Sequence, residues 1–449
     1  MHLARFARAL FITSAVLWAI GSQNGAAATL CVNPGGSGGC FSSITTAVNH
    51  ASANDAIRVG AGTYKEDVVI GKPLLLLGAG PGASVIDATG LANGIFIDGN
   101  SHPGLAHVTV AGFTVENALW EGILIVSASH VTIRNNNVSN DDKAGPVFQP
   151  GVNAGCPGQP AFETDETGDC GGAVHLIGTS NSVLDGNVME NNADGILISD
   201  ETGESHDNLI TRNTINNNPL DCGLVMASHP PVGAAAPPFA AHYGIDRNTI
   251  SENRVTNNGV QVEGAGVGMF SDGAGMGKVS GNVIIGNFLM GNGIGGVAMH
   301  SHVGPQFGLP SDDLNNNIIV GNLVAGNGAD VGDTATPGTV GIQISSGLGG
   351  TPIQGTVVAA NVIWNEDYDV AVNTPGAVTV ELNSLYPSGM GVGVGNICSF
   401  DSAPCTGSAD AALNYWGCRT GPNTPGCSTT TGPSVSVVPW LRSPVGGPR

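Results

Sequence analysis

Histidine and acidic residues recur at one fixed distance from a glycine that opens a short apolar run. The sixth residue after the glycines at positions 195, 223, 266 and 296 is Glu201, His229, Asp272 and His302, respectively. A carboxylate beside an imidazole orients the ring and raises its pKa, which suits a pair that moves a proton. We therefore predict that Glu201, His229, Asp272 and His302 are candidate catalytic residues.

Further polar and aromatic residues lie on the same apolar runs or in the loop that follows His229. Alternation along a strand places the second and fourth residues after each glycine on the outer face. The loop adds rings that could stack on a sugar. The candidate substrate-binding residues are His175, Asp200, His242, Tyr243, Phe270 and His300.

The same residues are also compatible with two other interpretations. His300 and His302 project to one side of a strand, and His229 with Asp272 could converge on them as metal ligands. The cofactor would then be Ca²⁺ or a transition metal. In the third interpretation the row is an ordinary solvated strand edge, so catalysis, metal binding and a structural role all remain open.

Two repeated units must position these residues. One is a glycine followed by alternating apolar residues, as in Gly195-Ile196-Leu197-Ile198, which indicates a strand with one buried face. The other is Asn-x-apolar-x-x-Asn, and its copies at Asn187 and Asn213 are 26 residues apart. Asparagine at such corners accepts left-handed backbone geometry and stacks as ladders of amides. Together the units predict an all-β fold, a right-handed parallel β-helix of about 10–12 coils.

The composition agrees with a solenoid and excludes several classes of protein. The 449 residues include 69 glycines, with 5% aromatic and 11% charged residues. The short repeat spacing and the few aromatic residues disfavour a β-propeller. The formal net charge of -21 argues against a nucleic-acid partner. An anionic polymer would also be repelled unless a cation bridges it to the protein.

The first 28 residues have the order of a secretory signal peptide. Arg5 and Arg8 precede an apolar run from Ala9 to Ile20, and small residues lead to Ala28. The run is too short to span a bilayer. We predict a signal peptide over residues 1–28, cleaved near Ala28, and one β-helix domain over residues 29–449. The protein is then secreted or periplasmic, without membrane insertion.

Eight of the nine cysteines lie in close pairs along the sequence, which suits disulfides in an oxidising compartment. The ninth, Cys222, lies in an apolar stretch and is predicted to be a buried thiol. The predicted pairs are Cys31 with Cys40, Cys156 with Cys170, Cys398 with Cys405, and Cys418 with Cys427.

Segments near both ends of the chain resemble one known superfamily. Phe41–Val48 and the stretches 56–59, 62–68 and 74–80 resemble the amphipathic helix and first coils of pectate-lyase-like proteins. Pectin methylesterases and NosD-like periplasmic proteins begin this way. Asn414-Tyr415-Trp416-Gly417 and Pro439-Trp440-Leu441 are similar to the closing segment of many β-helix proteins. The resemblance implies a right-handed parallel β-helix with a capping helix at 41–52 and a C-terminal cap region at 398–449.

The catalytic motifs of that superfamily are missing from the sequence. The Arg-Pro-Trp of pectin methylesterases is absent, and of the polygalacturonase motifs only Asp-Asp pairs occur, at 141–142 and 312–313. The resemblance therefore implies a fold and no specific enzyme. We expect a protein that binds a polysaccharide in a groove along one parallel sheet and could cleave or epimerise it. The enzyme classes would be polysaccharide lyase, glycoside hydrolase or epimerase. The alternatives are a NosD-like metal-binding protein without enzymatic activity and a cell-surface structural or adhesive β-helix.

Overall fold

The chain winds into a solenoid of short parallel strands. The computed structural model describes residues 27–142, 171–231, 241–262, 264–271, 276–301, 310–332, 336–346, 351–397 and 406–445. Within these ranges the strands form three long parallel sheets and one three-stranded sheet. Each turn of the chain contributes one strand to each long sheet, as the two repeated units predict.

The three long sheets are named A, B and C. Sheet A consists of Thr29–Val32, Ala56–Val59, Leu75–Gly78, Thr109–Ala111, Thr132–Arg134, Val183–Asp185, Leu209–Thr211, Thr249–Ser251, Val283–Ile285, Ile318–Val320, Val357–Ala359, Ala377–Glu381, Ser408–Asp410 and Val435–Ser436. Sheet B consists of Gly62–Tyr64, Ser84–Asp87, Thr114–Glu116, Asn137–Ser139, Val188–Glu190, Thr214–Asn216, Arg254–Thr256, Phe288–Met290, Leu323–Ala325, Val362–Trp364 and Ser384–Leu385. Sheet C consists of Val68–Ile70, Ile95–Asp98, Ile123–Val126, Val174–Ile177, Ile196–Ser199, Leu224–Ser228, Val267–Ser271, Val297–Ser301, Val340–Ser345, Tyr368–Asn373, Val392–Asn396 and Thr429–Thr431.

The fourth, three-stranded sheet lies between sheets C and A in the chain order. It consists of Ser205–His206, Ile245–Asp246 and Val279–Ser280. Its strands extend the solenoid wall beside the corner where the chain leaves sheet C.

The helix Ile44–His50 lies inside the predicted capping segment 41–52. Ser43 caps it by accepting a hydrogen bond from Thr46 N, and the Glu66 carboxylate accepts from Ile44 N and Thr45 N. Its buried face packs on the first coils of the solenoid. No helix in the described ranges is long and apolar enough to cross a membrane.

Stacked aliphatic side chains fill the narrow interior of the solenoid. In sheet A, Ile210, Ile250, Ile284 and Ile319 stand at equivalent positions of four successive strands and are fully buried. Each such residue removes its whole side chain from water, which contributes about 1.5–3 kcal/mol per residue. The period-two pattern thus produces one continuous core along the rod.

Three rows of polar side chains, here called the ladders, run along the corners of the solenoid. Asn213 illustrates the geometry, since its backbone N and its Nδ2 both donate to Asn253 Oδ1, at 2.9 and 3.0 Å. Its Nδ2 also donates to Leu184 O of the preceding coil. Buried backbone groups at the corner are therefore paired without any strand partner.

The ladders are as follows. The first ladder contains Asn136, Asn187, Asn213, Asn253, Asn287, Asn322, Asn361, Asn383 and Asn414. The second contains Asp141, Asn192, Asn218, Asn258, Asn292, Asn327 and Glu366. The third contains Ser182, Asn208, Asn248, Asn282 and Asn317.

The left-handed backbone lies one residue before the ladder asparagine, not at it. Asn217 and Asn257 have φ near 56° and precede the ladder residues Asn218 and Asn258. The expectation that the corner asparagines themselves adopt this geometry is corrected accordingly. The ladder residue keeps a regular backbone because its amide must point along the rod.

At two strands of sheet C, the space beside the opening glycine is filled by the next coil and its ladder amide. A Cβ at Gly266 would come within 2.6 Å of Gly296 O and 2.8 Å of Asn292 Nδ2. One at Gly223 would clash with the Val255 side chain and come within 2.7 Å of Asn258 Nδ2. The glycine-led unit and the asparagine unit of the sequence therefore meet at the same corner of the solenoid.

Two of the four predicted disulfides are present, Cys31–Cys40 and Cys418–Cys427. Cys222 is a free, buried thiol, as predicted. The other two predicted pairs, at 156 with 170 and at 398 with 405, lie outside the described residues, as does the predicted signal peptide up to residue 26.

Candidate functional site

The strands that carry the candidate residues pair in the register on which the prediction depends. Leu224 pairs with Val267, which pairs with Val297, so the glycines at 223, 266 and 296 are equivalent. The described members of the row, Glu201 and His229, therefore follow adjacent strands of sheet C. Asp272 and His302 lie outside the described residues.

Glu201 and His229 form a buried ion pair at this end of sheet C. His229 Nδ1 lies 2.8 Å from Glu201 Oε1, and both side chains are at most 2% exposed. Burial alone would raise the pKa of Glu201, but the charge of His229 and its hydrogen bond outweigh burial, and the pKa lies below its usual value. The pairing of the two residues across neighbouring coils agrees with the sequence register.

Asp200 lies on the inner side of the same corner and holds it together. Its Oδ1 accepts a hydrogen bond from His229 N at 2.8 Å, and its Oδ2 accepts from Gly244 N at 2.6 Å and from Ser228 Oγ at 3.1 Å. Burial raises the pKa of Asp200 to about 7. This residue positions the backbone of His229 and the segment that brings His242 to the site.

His242 reaches the same corner from the loop after His229. Its Nδ1 lies 2.9 Å from Ser228 Oγ, and its Nε2 is buried with no hydrogen-bond partner among the described residues. Burial, reinforced by the charge of His229, lowers the pKa of His242 to about 4. The ring is therefore neutral around pH 7.

The hydrogen-bond network assigns the tautomer of His242. Ser228 Oγ accepts from Lys278 N at 3.0 Å, and it has one proton of its own to donate. When Asp200 is ionised, that proton goes to Asp200 Oδ2, so the remaining contact must be donated by Nδ1–H of His242. The lone pair of His242 is then on Nε2, which makes Nε2 the basic atom of the ring.

The order of these groups differs from that of a catalytic serine triad. In such a triad the imidazole lies between the hydroxyl and the carboxylate. Here the Ser228 hydroxyl lies between His242 and Asp200. The carboxylate therefore contacts the hydroxyl and not the imidazole, and it cannot support His242 as a base that deprotonates Ser228. Ser228 is consequently a positioning residue and not a nucleophile.

His175 lies one coil before Glu201 on the outer face of sheet C, as predicted, but it is fully buried. Its Nδ1 is 3.3 Å from Glu121 Oε1, and its Nε2 is 2.9 Å from Ser199 Oγ. The charge of His175 also helps to lower the pKa of Glu201. The residue therefore belongs to the same electrostatic network, although it is not open to solvent.

His300 and Phe270 form a separate cluster further along sheet C. Their ring centroids are 4.4 Å apart, and His300 Nδ1 lies 3.7 Å from Asp330 Oδ2. Gln343 Nε2 donates to the same Asp330 oxygen at 3.0 Å. Among the described residues no group of three or more His, Cys, Asp or Glu side chains could hold a metal ion.

Solvent exposure separates Tyr243 from the other candidates. Its side chain is 51% exposed, whereas Glu201, His229, His175 and His300 are nearly inaccessible. The structure thus encloses the predicted row of outward-facing residues. Among the candidate substrate-binding residues of the described ranges, Tyr243 is the one that presents an open ring.

Several residues of these clusters were not predicted from the sequence. Ser228, Glu121 and Asp330 contact candidate histidines, and Gln343 donates to Asp330. Asp330 comes from a loop, and its position does not follow from the repeat.

Comparison with known proteins agrees with the fold. A family model described as "Right handed beta helix region" matches residues 93–232. No curated protein sequence matches the chain. The solved catalytic domain of a GH87 alpha-1,3-glucanase, in complex with tetrasaccharides, is 13% identical with a TM-score of 0.56, over 90% of this chain and 67% of that one. The Dettilon tailspike protein (gp208) is 12% identical with a TM-score of 0.53, over 86% of this chain and 62% of that one.

These similarities define the class of the protein. The chain spans about two thirds of the length of the two solved chains. The predicted resemblance to right-handed parallel β-helix proteins is confirmed at the level of the fold, and no specific enzyme family is matched.

Proposed function

We propose that this protein binds a polysaccharide along the outer face of sheet C and transfers protons on it, so that it cleaves or epimerises the chain. One observation carries the proposal: a single corner holds an imidazole paired with Glu201 and a second, neutral imidazole whose Nε2 has no partner among the described residues. Environments that push two like groups to opposite protonation states define an acid and a base. The sugar-acting glucanase with the same fold supports a glycan as the substrate class.

His242 and His229 would have complementary roles in the reaction. His242 Nε2 accepts a proton from the sugar, because burial and the charge of His229 keep this ring neutral. His229, held by Glu201, donates a proton to the departing oxygen or to the opposite face of the sugar carbon. The formal net charge of -21 means that a uronic acid polymer would need a bridging cation such as Ca²⁺.

Export to the periplasm or the extracellular space is part of the proposal. The signal-peptide pattern of the first 28 residues predicts it. The two disulfides of the described chain support it, since such bonds persist in oxidising compartments.

A glycan screen with variants tests the reaction. The purified protein is incubated with neutral and uronic polysaccharides, with and without Ca²⁺, and products are followed by reducing ends, by absorbance of unsaturated sugars and by NMR. We expect His242→Ala and His229→Ala each to lose about 100-fold or more of the turnover found for wild type. His206→Ala is the matched control, because His206 pairs with Asp207 at 2.7 Å on the partly exposed corner outside sheet C. Equal activity of wild type and both site variants would contradict the proposal.

The pH profile and metal content separate this function from the alternatives. We expect kcat/KM to fall as the pH approaches about 4, because His242 then takes up a proton. Bound copper or zinc that is lost in His300→Ala, without turnover of any glycan, would instead favour the metal-binding alternative.

A further inference from the structure

A cavity lies where the chain passes from sheet B to sheet C, whereas the His229 cluster lies where the chain leaves sheet C. Three successive turns line it with residues 326–327, residues 365–367 and Gly389, together with Thr339. Its volume is about 280 Å³. This cavity, here called the corner pocket, contains none of the candidate residues described above.

Glu366 places an unpaired acceptor in the corner pocket. It ends the second ladder, and its Oε1 accepts from Asn327 N and Nδ2 at 3.0 and 2.9 Å. Its Oε2 is buried and has no hydrogen-bond partner in the described part of the chain, and the residue is 1% exposed. The Thr339 hydroxyl is near enough to favour the ionised form of Glu366, but it does not meet hydrogen-bond geometry with Oε2. A buried acceptor without a donor costs free energy, so a ligand that donates a hydrogen bond to it from the cavity would be stabilised.

Asp367 shapes the pocket and offers no free acceptor of its own. Its Oδ1 accepts from Met390 N at 2.9 Å and its Oδ2 from Thr339 N at 3.1 Å. These bonds tie two neighbouring turns to the turn that carries Glu366. The pocket wall is therefore fixed by backbone bonds, and Glu366 Oε2 is its unsatisfied group.

Two aromatic residues lie next to pocket turns in the chain, on the outer face of sheet B. Trp364 and Tyr386 directly precede two of the pocket turns and are half-buried. Tyr386 N donates to Ile363 O, which keeps the two rings on adjacent coils, about 4.8 Å apart along the rod. Tyr415 continues the row, with its ring centroid 5.9 Å from that of Tyr386. Only 5% of the chain is aromatic, so three rings on one surface form a marked concentration.

We propose that the corner pocket and the Trp364–Tyr386–Tyr415 surface bind a neutral oligosaccharide at a site separate from the His229 cluster. The apolar faces of sugar rings pack on the indole and phenol rings. Above about pH 7, where the Glu366 carboxyl is ionised, a sugar hydroxyl donates to its Oε2. The carboxylates of Glu366 and Asp367 and the negative charge of the chain disfavour a uronic acid ligand. This site does not depend on catalysis at His242, so it extends the proposed function and can fail independently of it.

Calorimetric titration of the full chain tests this site. The probes are the hexasaccharides of maltose, cellulose and laminarin type, with a hexagalacturonate as the anionic comparison. To keep the two sites apart, titrations use the His242→Ala protein beside wild type. We expect at least one neutral probe to bind both proteins equally and the hexagalacturonate to bind neither at this site.

Three variants locate the bound sugar. Trp364→Ala should weaken binding of that probe about fivefold to tenfold, the effect of losing one stacked ring. Glu366→Gln keeps an oxygen for Asn327 but replaces the pocket-facing acceptor by a donor, and it should also weaken binding. Ile318→Ala is the matched control, since Ile318 is 39% exposed on sheet A at the neighbouring level of the rod. Absence of binding by all neutral probes, or binding unaffected by both Trp364→Ala and Glu366→Gln, would overturn the proposal.

Discussion

Glu201 and Glu366 occupy similar places in the same solenoid but have opposite electrostatics. Both are 1% exposed, and each lies at a corner that joins sheet C to its neighbours. Glu201 faces His229 at 2.8 Å, and its pKa lies below the usual value although burial acts against this. Glu366 faces the neutral amide of Asn327, and burial raises its pKa to about 7.

The pKa values of Glu201 and Glu366 differ because a different residue of the adjacent coil faces each carboxyl group. A solenoid presents nearly the same backbone at every turn, so the identity of the next side chain decides whether a buried acid is ionised. Beside Glu366 the neighbouring acid Asp369 is also buried, and burial raises its pKa well above the usual value. Proton transfer requires the charged pair of the first corner, whereas the second corner can hold its acids in neutral form.

Removing the partner of Glu201 should produce the largest effect on stability. His229→Ala leaves a carboxylate buried without its counter-charge, and we expect a loss of about 3–5 kcal/mol in the free energy of unfolding at pH 7. Urea denaturation measures it. Adding Glu201→Gln to the same chain should recover much of the loss, because the unpaired charge is then gone.

The control for this measurement is His206→Ala. The His206–Asp207 pair is partly exposed, so its loss should change stability by less than about 1 kcal/mol. A small effect of His229→Ala, similar to that of His206→Ala, would mean that Glu201 is not an ionised buried acid and would remove the contrast with Glu366.

The free energy of unfolding should depend on pH through the protonation of Glu366. Its pKa rises from 4.5 to about 7 on folding, so the folded protein binds more protons than the unfolded chain in that range. The stabilisation is complete below about pH 4.5 and is lost as the pH rises toward 7. The difference corresponds to roughly 3 kcal/mol. Urea denaturation between pH 4.5 and 8 should show this fall in wild type and a smaller fall in Glu366→Gln.

Besides burial, the charge of Asp367 helps to raise the pKa of Glu366, and Glu366 in turn helps to raise the pKa of Asp369. Asp369→Asn, measured over the same pH range, therefore serves as the comparison. An unchanged slope in Glu366→Gln would show that Glu366 is ionised throughout, as Glu201 is.

The repetitive part of the molecule could be predicted from the sequence because its geometry is local. The period of two fixed the buried faces, and the spacing from Asn213 to Asn218 marked two ladders. The third ladder was missed, although Asn208 stands five residues before Asn213 in the same pattern. The sequence interpretation assigned the left-handed backbone to the ladder asparagine, one position after the residue that adopts it. Asparagine is favoured at both positions, at one for its backbone conformation and at the other for its side-chain hydrogen bonds.

In the candidate site, only the contacts between residues of paired strands could be predicted from the sequence. Glu201 and His229 were brought together because equivalent residues of adjacent coils must be neighbours. The contact of His242 with Ser228 was not predicted, since His242 lies thirteen positions after His229 and no repeat determines the path of that loop. Periodicity carries no information about such loops.

Asp369 offers the smallest and sharpest test of the contrast between the two corners. Among the described residues, both of its carboxyl oxygens are buried without hydrogen-bond partners, and burial raises its pKa well above the usual value, which favours the neutral form. If Asp369 is neutral, Asp369→Asn exchanges one neutral group for another of similar size, so the free energy of unfolding at pH 7 should change by less than about 1 kcal/mol. Asp200→Asn replaces an acid that accepts three hydrogen bonds, and it should cost about 1–3 kcal/mol under the same conditions. Equal losses in the two variants would mean that Asp369 is also held in place by donors, and the neutral-acid character of the second corner would be wrong.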